Sequence, residues 1–210
     1  MQSVRQEMLC DIVQHDCLTI LARGMGLFDL SSQFLSLYSR KETLVFIINM
    51  PKQTQNRLEL ELRQDGCEVA PRSITTEYTP EERSEEYAAG GCIAITSRIL
   101  AVDLLTRRAP VSSISGFLVW DAHRVSDISS EAFILRLFRQ DNKTGFIKGF
   151  SDSPEAFGGG FFKVEKVGAV LNMITQPADL SLAGYEKYFR HQAVSLAPIS
   201  YQGQFGTVSA

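Results

Sequence analysis

The sequence predicts an α/β domain built on a parallel, doubly wound sheet. Two observations predict it. Short apolar runs alternate with helix-patterned stretches along most of the chain, the order that right-handed βα crossovers produce. Several of those runs are apolar at consecutive positions, as expected of strands covered by helices on both faces.

The strand candidates are residues 17–22 (CLTILA), 43–49 (TLVFIIN), 92–96 (CIAIT), 115–120 (SGFLVW) and 144–150 (TGFIKGF). They are rich in β-branched or aromatic residues and bounded by Gly, Pro or polar turns. Between them lie helices. Residues 4–15 place Val4, Met8, Ile12 and Val13 on one face, and 27–38 repeats Leu27, Leu30, Phe34 and Tyr38. Residues 53–64 carry Leu58 and Leu62 and end near Gly66. Residues 80–89 open with proline after Thr79, an N-cap and N1 pair. Ser97 is expected to cap 98–107. At 129–140, Ser129 or Ser130 precedes Glu131 and an apolar face. No internal repeat is present. Residues 1–174 read as one domain. After them the periodicity fades, and 175–210 reads as a divergent tail, loosely docked or disordered.

Composition fits one soluble core. The chain has 210 residues, 44% hydrophobic and 21% charged, which suits a globular domain rather than a disordered one. No run approaches the ~18 apolar residues of a membrane helix, and the charged N-terminal stretch carries no secretion signal. Cys10, Cys17, Cys67 and Cys92 are scattered, and the three histidines make no ligand spacing with them. Zinc is not expected, and reduced thiols point to the cytosol or nucleus. The formal charge is -3. Residues 96–148 nevertheless hold eight basic residues against five acidic ones. That segment could attract phosphates or be an ordinary solvated face.

Ligands of open α/β sheets bind beyond the carboxyl ends of the strands. The first strand–helix junction reads LARGMGLFDL. A phosphate-binding loop needs glycines, then Lys for phosphate and Ser/Thr for Mg²⁺. Gly24 and Gly26 are present, but Leu27 and Phe28 stand in the Lys and Ser/Thr places. The fourth candidate strand ends in LVWDAHR. Superfamily 2 helicases end it in D-E-A-H, so Trp120 replaces the metal-holding carboxylate, with Asp121, Ala122 and His123 following. Asp121 and His123 could instead form an acid/base pair, though no nucleophile accompanies them. GFSDSP at 149–154 stands where helicases carry a T-A-S-P-like turn. CIAITSRIL at 92–100 stands where they contact the nucleic-acid strand. The expected lobe is RecA-like, of superfamily 2 helicase type, with degenerate ATP motifs and no cofactor.

The runs GCIAITSRILAVDLLTRRAP, ISGFLVWDAHRV and EAFILRLFRQDNKTGFIKGFSDSPEAF closely resemble the XPF family of DNA-repair endonucleases. The resemblance spans about Val4 to Met173. It implies a nuclear repair protein of nucleotide excision repair, interstrand cross-link repair and recombination. It also implies a helicase-like region that binds single-strand/double-strand junctions and docks a scaffold protein without hydrolysing ATP. The family's E-R-K nuclease motif, tandem helix-hairpin-helix module and heterodimer surface do not occur here, and neither do the second helicase-like lobe and helical insert. No cleavage is therefore assigned to this chain. A fragment, a short isoform, a truncated gene model and a reduced paralogue all remain open.

The DNA-contact candidates are Thr96, Ser97, Arg98, Arg124, Arg136, Arg139, Lys143 and Lys148. Arg136 and Arg139 lie three apart and share a helix face. The alternative is a solvated amphipathic helix. Trp120 and the set Phe146, Phe150, Phe157, Phe161 and Phe162 could stack on bases or simply pack. The rival functions are a protein-interaction module without DNA binding and an active helicase/ATPase.

Overall fold

The computed structural model describes residues 2–14, 16–157 and 161–171. The tail expected at 175–210 and the glycines at 158–160 lie outside them. Six strands form one wholly parallel sheet: β1 (Cys17–Ile20), β2 (Leu44–Ile48), β3 (Arg72–Ile74), β4 (Gly91–Ile95), β5 (Gly116–Val119) and β6 (Phe146–Ser151), in the order β1-β6-β5-β2-β4-β3. The helices are α1 (Gln2–Gln14), α2 (Leu27–Ser36), α3 (Lys52–Gln64), α4 (Pro80–Ala88), α5 (Ser97–Leu105), α6 (Ser130–Asp141) and α7 (Phe161–Val170).

The central strand β2 shows why the runs are apolar throughout. Alternate side chains point to opposite faces. Leu44, Phe46 and Ile48 join one core layer with α4 to α7. Val45 and Ile47 join the other, with α1, α2 and α3. A strand covered on both sides has no polar face to show. Five of the six strands match the expected runs to within two residues at each end.

β3 has no counterpart among the expected runs: its three residues RSI, at the sheet edge, carry too short and polar a signal. α7 has none either, because its apolar positions follow a glycine run. The cap of α5 also differs. Thr96 is its N-cap, with no side-chain cap bond, and Ser97 is its first helical residue. The Ser97 hydroxyl turns instead to Glu131 of α6 at 2.6 Å. Caps expected elsewhere form: Thr79 makes a capping box with Glu82 on α4, and Ser129 caps α6 through the Ala132 N–H.

Two buried ionic knots fix the layers. Asp103 of α5 is fully buried; it accepts two bonds from Arg83, at 2.7 and 2.9 Å, and one from the Tyr87 hydroxyl at 2.6 Å. Asp16, just before β1, accepts from the Ile147 N–H and from Arg139 of α6, both at 2.7 Å. Arg139 also donates to the Gly145 carbonyl at 2.5 Å. All six strands run the same way, so their carboxyl ends and following loops meet along one edge.

Candidate nucleic-acid interface

The loop after β1 has the backbone of a phosphate loop and the wrong side chains. Gly24 and Gly26 both adopt φ +84, a left-handed conformation that glycine accepts without strain. Gly26 is the N-cap of α2. Leu27 is buried. Phe28 is half-buried, and the Arg57 guanidinium of α3 lies 3.8 Å from its ring centroid while pairing with Asp29 at 3.6 Å. Leu21, Met25, Leu27, Phe28, Trp120 and Phe150 belong to one apolar cluster. Where a nucleotide enzyme would hold phosphate and metal, this chain packs hydrocarbon.

Trp120 is 8% exposed and meets Phe150 edge-on, ring centroids 6.4 Å apart. It is a core residue, as are Phe150 and Phe157. Phe146 packs with Phe34 and Tyr38. The side chains of Phe161 and Phe162 lie outside the described set. Asp121 takes a left-handed conformation, φ 49, and faces Arg124 at 3.6 Å. His123 turns the other way, its Nδ1 2.8 Å from the Ser151 hydroxyl. The two are therefore engaged separately rather than as an acid/base pair. Ser151 also accepts from the Ser153 N–H at 3.2 Å, and Asp152 pairs with Arg23 at 3.5 Å. The remnants at the ends of β1, β5 and β6 are thus tied into one edge.

Farther along that edge, Thr96 and Arg98 are exposed at the start of α5, and Arg98 has no ion pair with a described residue. Arg124 is exposed after β5. Arg136, exposed on the second turn of α6, donates to the Asp127 carbonyl at 3.1 Å. Three other candidates are placed elsewhere. Arg139 is only 9% exposed and holds Asp16. Lys148 is 1% exposed, between the Phe34 and Phe146 rings at 5.9 and 5.4 Å. Burial pushes its ammonium below the usual lysine value, with Cys17 and Asp16 opposing. Lys143 follows α6 at the amino edge of the sheet, its ammonium on the Arg139 carbonyl. It shares no surface with Arg98 or Arg124.

Two further residues at the carboxyl edge are absent from the sequence-derived candidates. Asn49, at the end of β2, adopts φ 64, and Lys52 is exposed at the first position of α3, whose Pro51 N-cap supplies no side-chain acceptor. The available signal is a strand ending in Asn, the residue most tolerant of the left-handed region after glycine, followed by Pro-Lys. Among the described residues, no group of three or more His, Cys, Asp or Glu could hold a metal, and no helix is long and apolar enough to cross a membrane.

A parallel sheet wrapped on both faces, with helicase-type motif remnants along its carboxyl edge, defines a helicase-like RecA-type lobe. The fold is shared with the helicase domain of Pyrococcus furiosus Hef, at TM-score 0.66 and 21% identity, over 82% of this chain and 36% of that one. In sequence the chain is 43% identical to the DNA repair endonuclease XPF of Cricetulus griseus over 162 residues, 77% of this chain and 18% of that protein. It is 39% identical to XPF of Drosophila melanogaster, over 77% of this chain and 16% of that protein. XPF of Dictyostelium discoideum matches at 31%, over 69% of this chain and 16% of that protein. No family model matches the chain. It belongs to the XPF family of DNA-repair endonucleases. It spans under a fifth of the length of these relatives.

Proposed function

We propose that this lobe is a DNA-binding and scaffold-docking unit of XPF-type repair, working in the nucleus without turning over ATP. The observation that carries the reading is the division of labour along the carboxyl edge. The nucleotide end is packed with Trp120, Phe28, Leu27 and Phe150, while Thr96, Arg98, Arg124 and Arg136 are solvent-facing on the stretch next to it. A guanidinium free to reach solvent makes phosphate contacts that are independent of base sequence. The uncapped first turn of α5 adds N–H donors oriented toward the same edge. Ser97 contributes by position rather than contact, because its hydroxyl is engaged with Glu131. The relatives' naming as repair endonucleases supports DNA as the ligand and repair as the setting.

The test is an anisotropy titration of the chain with a splayed-arm DNA junction at two salt concentrations, with and without ATP and Mg²⁺. Affinity that falls with salt and ignores nucleotide is the expected result. Binding that requires ATP, or DNA-stimulated ATP hydrolysis, would overturn the reading in favour of a live helicase. No binding at low salt would leave a protein-interaction lobe.

A further inference from the structure

α5 is apolar nearly all the way round, and such a helix is normally covered all the way round. Its sequence is SRILAVDLL. Leu100 and Leu104 pack on the sheet, Asp103 is held by Arg83 of α4, and Ile99 and Ala101 are partly buried at the flanks. What remains is a bare outer face. Val102 is 48% exposed and Leu105 61%. The neighbouring helix α6 packs directly on α5 and adds Phe133 at 39% exposed, with Leu137 partly buried beside it.

The entry to α6 repeats the pattern. With Ser129 as N-cap, Ile128 and Phe133 occupy the N′ and N4 positions of a hydrophobic staple. A closed staple would hide both, yet Ile128 is 96% exposed. Of the large apolar side chains exposed among the described residues, Val102, Leu105, Ile128 and Phe133 are the majority. All four belong to α5, α6 or the loop leading into α6.

The rim of this face is mainly basic, with Asp127 and Glu131 as the acids at the entry to α6. Arg98 lies at one end of α5, Arg107 beyond the other, and Arg136 one turn from Phe133 on α6. None of the three has an ion pair with a described residue. Apolar knobs on two packed helices are the counterpart of an amphipathic helix with i, i+3/i+4, i+7 anchors, and guanidinium groups around them without a carboxylate partner among the described residues select an acidic one.

We infer that the α5–α6 face is a docking site for an acidic amphipathic helix of a partner protein, seated on Val102, Leu105 and Phe133. This rests on the scaffold-docking half of the function proposed above and assigns it a surface that adjoins the DNA edge at Arg98 and Arg136 and runs away from it to Leu105 and Arg107. Leu105 lies at the end of α5 opposite Thr96 and Arg98, so a substitution at Leu105 acts on the docking face without touching the DNA edge.

The experiment titrates the full chain against a fluorescein-labelled synthetic helix of about five turns, with Leu at i, i+3, i+4 and i+7 and Glu elsewhere. A scrambled peptide and a Lys-for-Glu peptide serve as controls. The parent should bind the acidic amphipathic helix at least about tenfold more tightly than either control, a difference of ~1.4 kcal/mol. Leu105→Glu and Phe133→Ser should each weaken that binding about tenfold or more, leave the melting temperature within a few degrees, and leave junction-DNA affinity within about twofold. Arg107→Glu, remote from the DNA edge, should weaken the acidic peptide and not the scrambled one. Equal binding of all three peptides, or none, overturns the docking site while leaving the DNA reading intact. Loss of DNA affinity in Leu105→Glu and Phe133→Ser equal to the loss of peptide affinity also overturns it, by making the face part of the DNA surface.

Discussion

Replacing Arg139 with alanine should destabilise the lobe rather than abolish a DNA contact. The Arg139 guanidinium gives one bond to the Asp16 carboxylate at 2.7 Å and one to the Gly145 carbonyl at 2.5 Å. Its side chain is 11% exposed and that of Asp16 4%. Removing it takes the guanidinium away from the buried Asp16 side chain, to which the Ile147 N–H still donates. Breaking a buried pair from one side costs about 3–5 kcal/mol. For a domain of this size each kcal/mol shifts the midpoint by ~2–4 °C, so a fall of roughly 6–20 °C is expected. The damage joins β1, β6 and α6, so it should be cooperative. Arg136→Ala, one turn earlier and exposed, should shift the midpoint by less than about 2 °C. Circular-dichroism melts of the two variants decide the matter. An Arg139→Ala protein that melts within about 2 °C of the parent, or that stays folded and loses junction binding as Arg136→Ala does, would refute the assignment.

Three further outcomes rest on particular side chains and turns. ATP with Mg²⁺ should give no thermal shift in a dye-based melt, because Leu27, Phe28 and Trp120 occupy the phosphate and metal places; a saturable shift would contradict this. Gly90→Ala should be poorly folded, since at φ +72 its added Cβ would stand 2.2 Å from the Lys41 carbonyl oxygen and no side chain can move to relieve a backbone clash; a parent-like denaturant midpoint would count against the local geometry. The third concerns pH. Burial pushes the Cys92 thiol up to about 12 from 9.0. Between those values the unfolded chain gives up a proton that the folded chain keeps, so stability is intact below about pH 9 and falls toward pH 12, by ~1.4 kcal/mol per unit from this group. Cys92→Ala should lower stability at neutral pH but flatten the alkaline limb in urea melts between pH 8 and 11; an unchanged slope would remove Cys92 as its source.

The strands and their edge were legible because a sheet covered on both faces writes uninterrupted apolar runs. The motif positions followed, since each sits at a strand end, where the chain must turn. The facing of individual cations was not legible. Arg136 and Arg139 are three apart, but that step leaves them roughly 60° apart around the helix, and the boundary of the buried face falls between them. Arg139 is drawn inward by Asp16, 123 residues away, a partner no local pattern reveals. Lys148 carried a better clue. A lone lysine inside a strand apolar on both sides has no solvated face to occupy, and it lies buried opposite Cys17 in the parallel register. Lys143 lies beyond the end of α6, at the amino edge; a run of basic residues in sequence says nothing about which end of the sheet each one reaches.

The most direct test of the central claim is the salt dependence of junction binding for the parent and for the Arg98→Ala, Arg124→Ala, Arg136→Ala triple variant. Each arginine–phosphate interaction removed should lower the slope of log affinity against log salt by ~1. Three working arginines therefore mean a slope shallower by about three in the variant, with the weakening spread evenly over DNA sequences. An unchanged slope in a folded triple variant would contradict the claim that DNA is held along the carboxyl edge by these arginines.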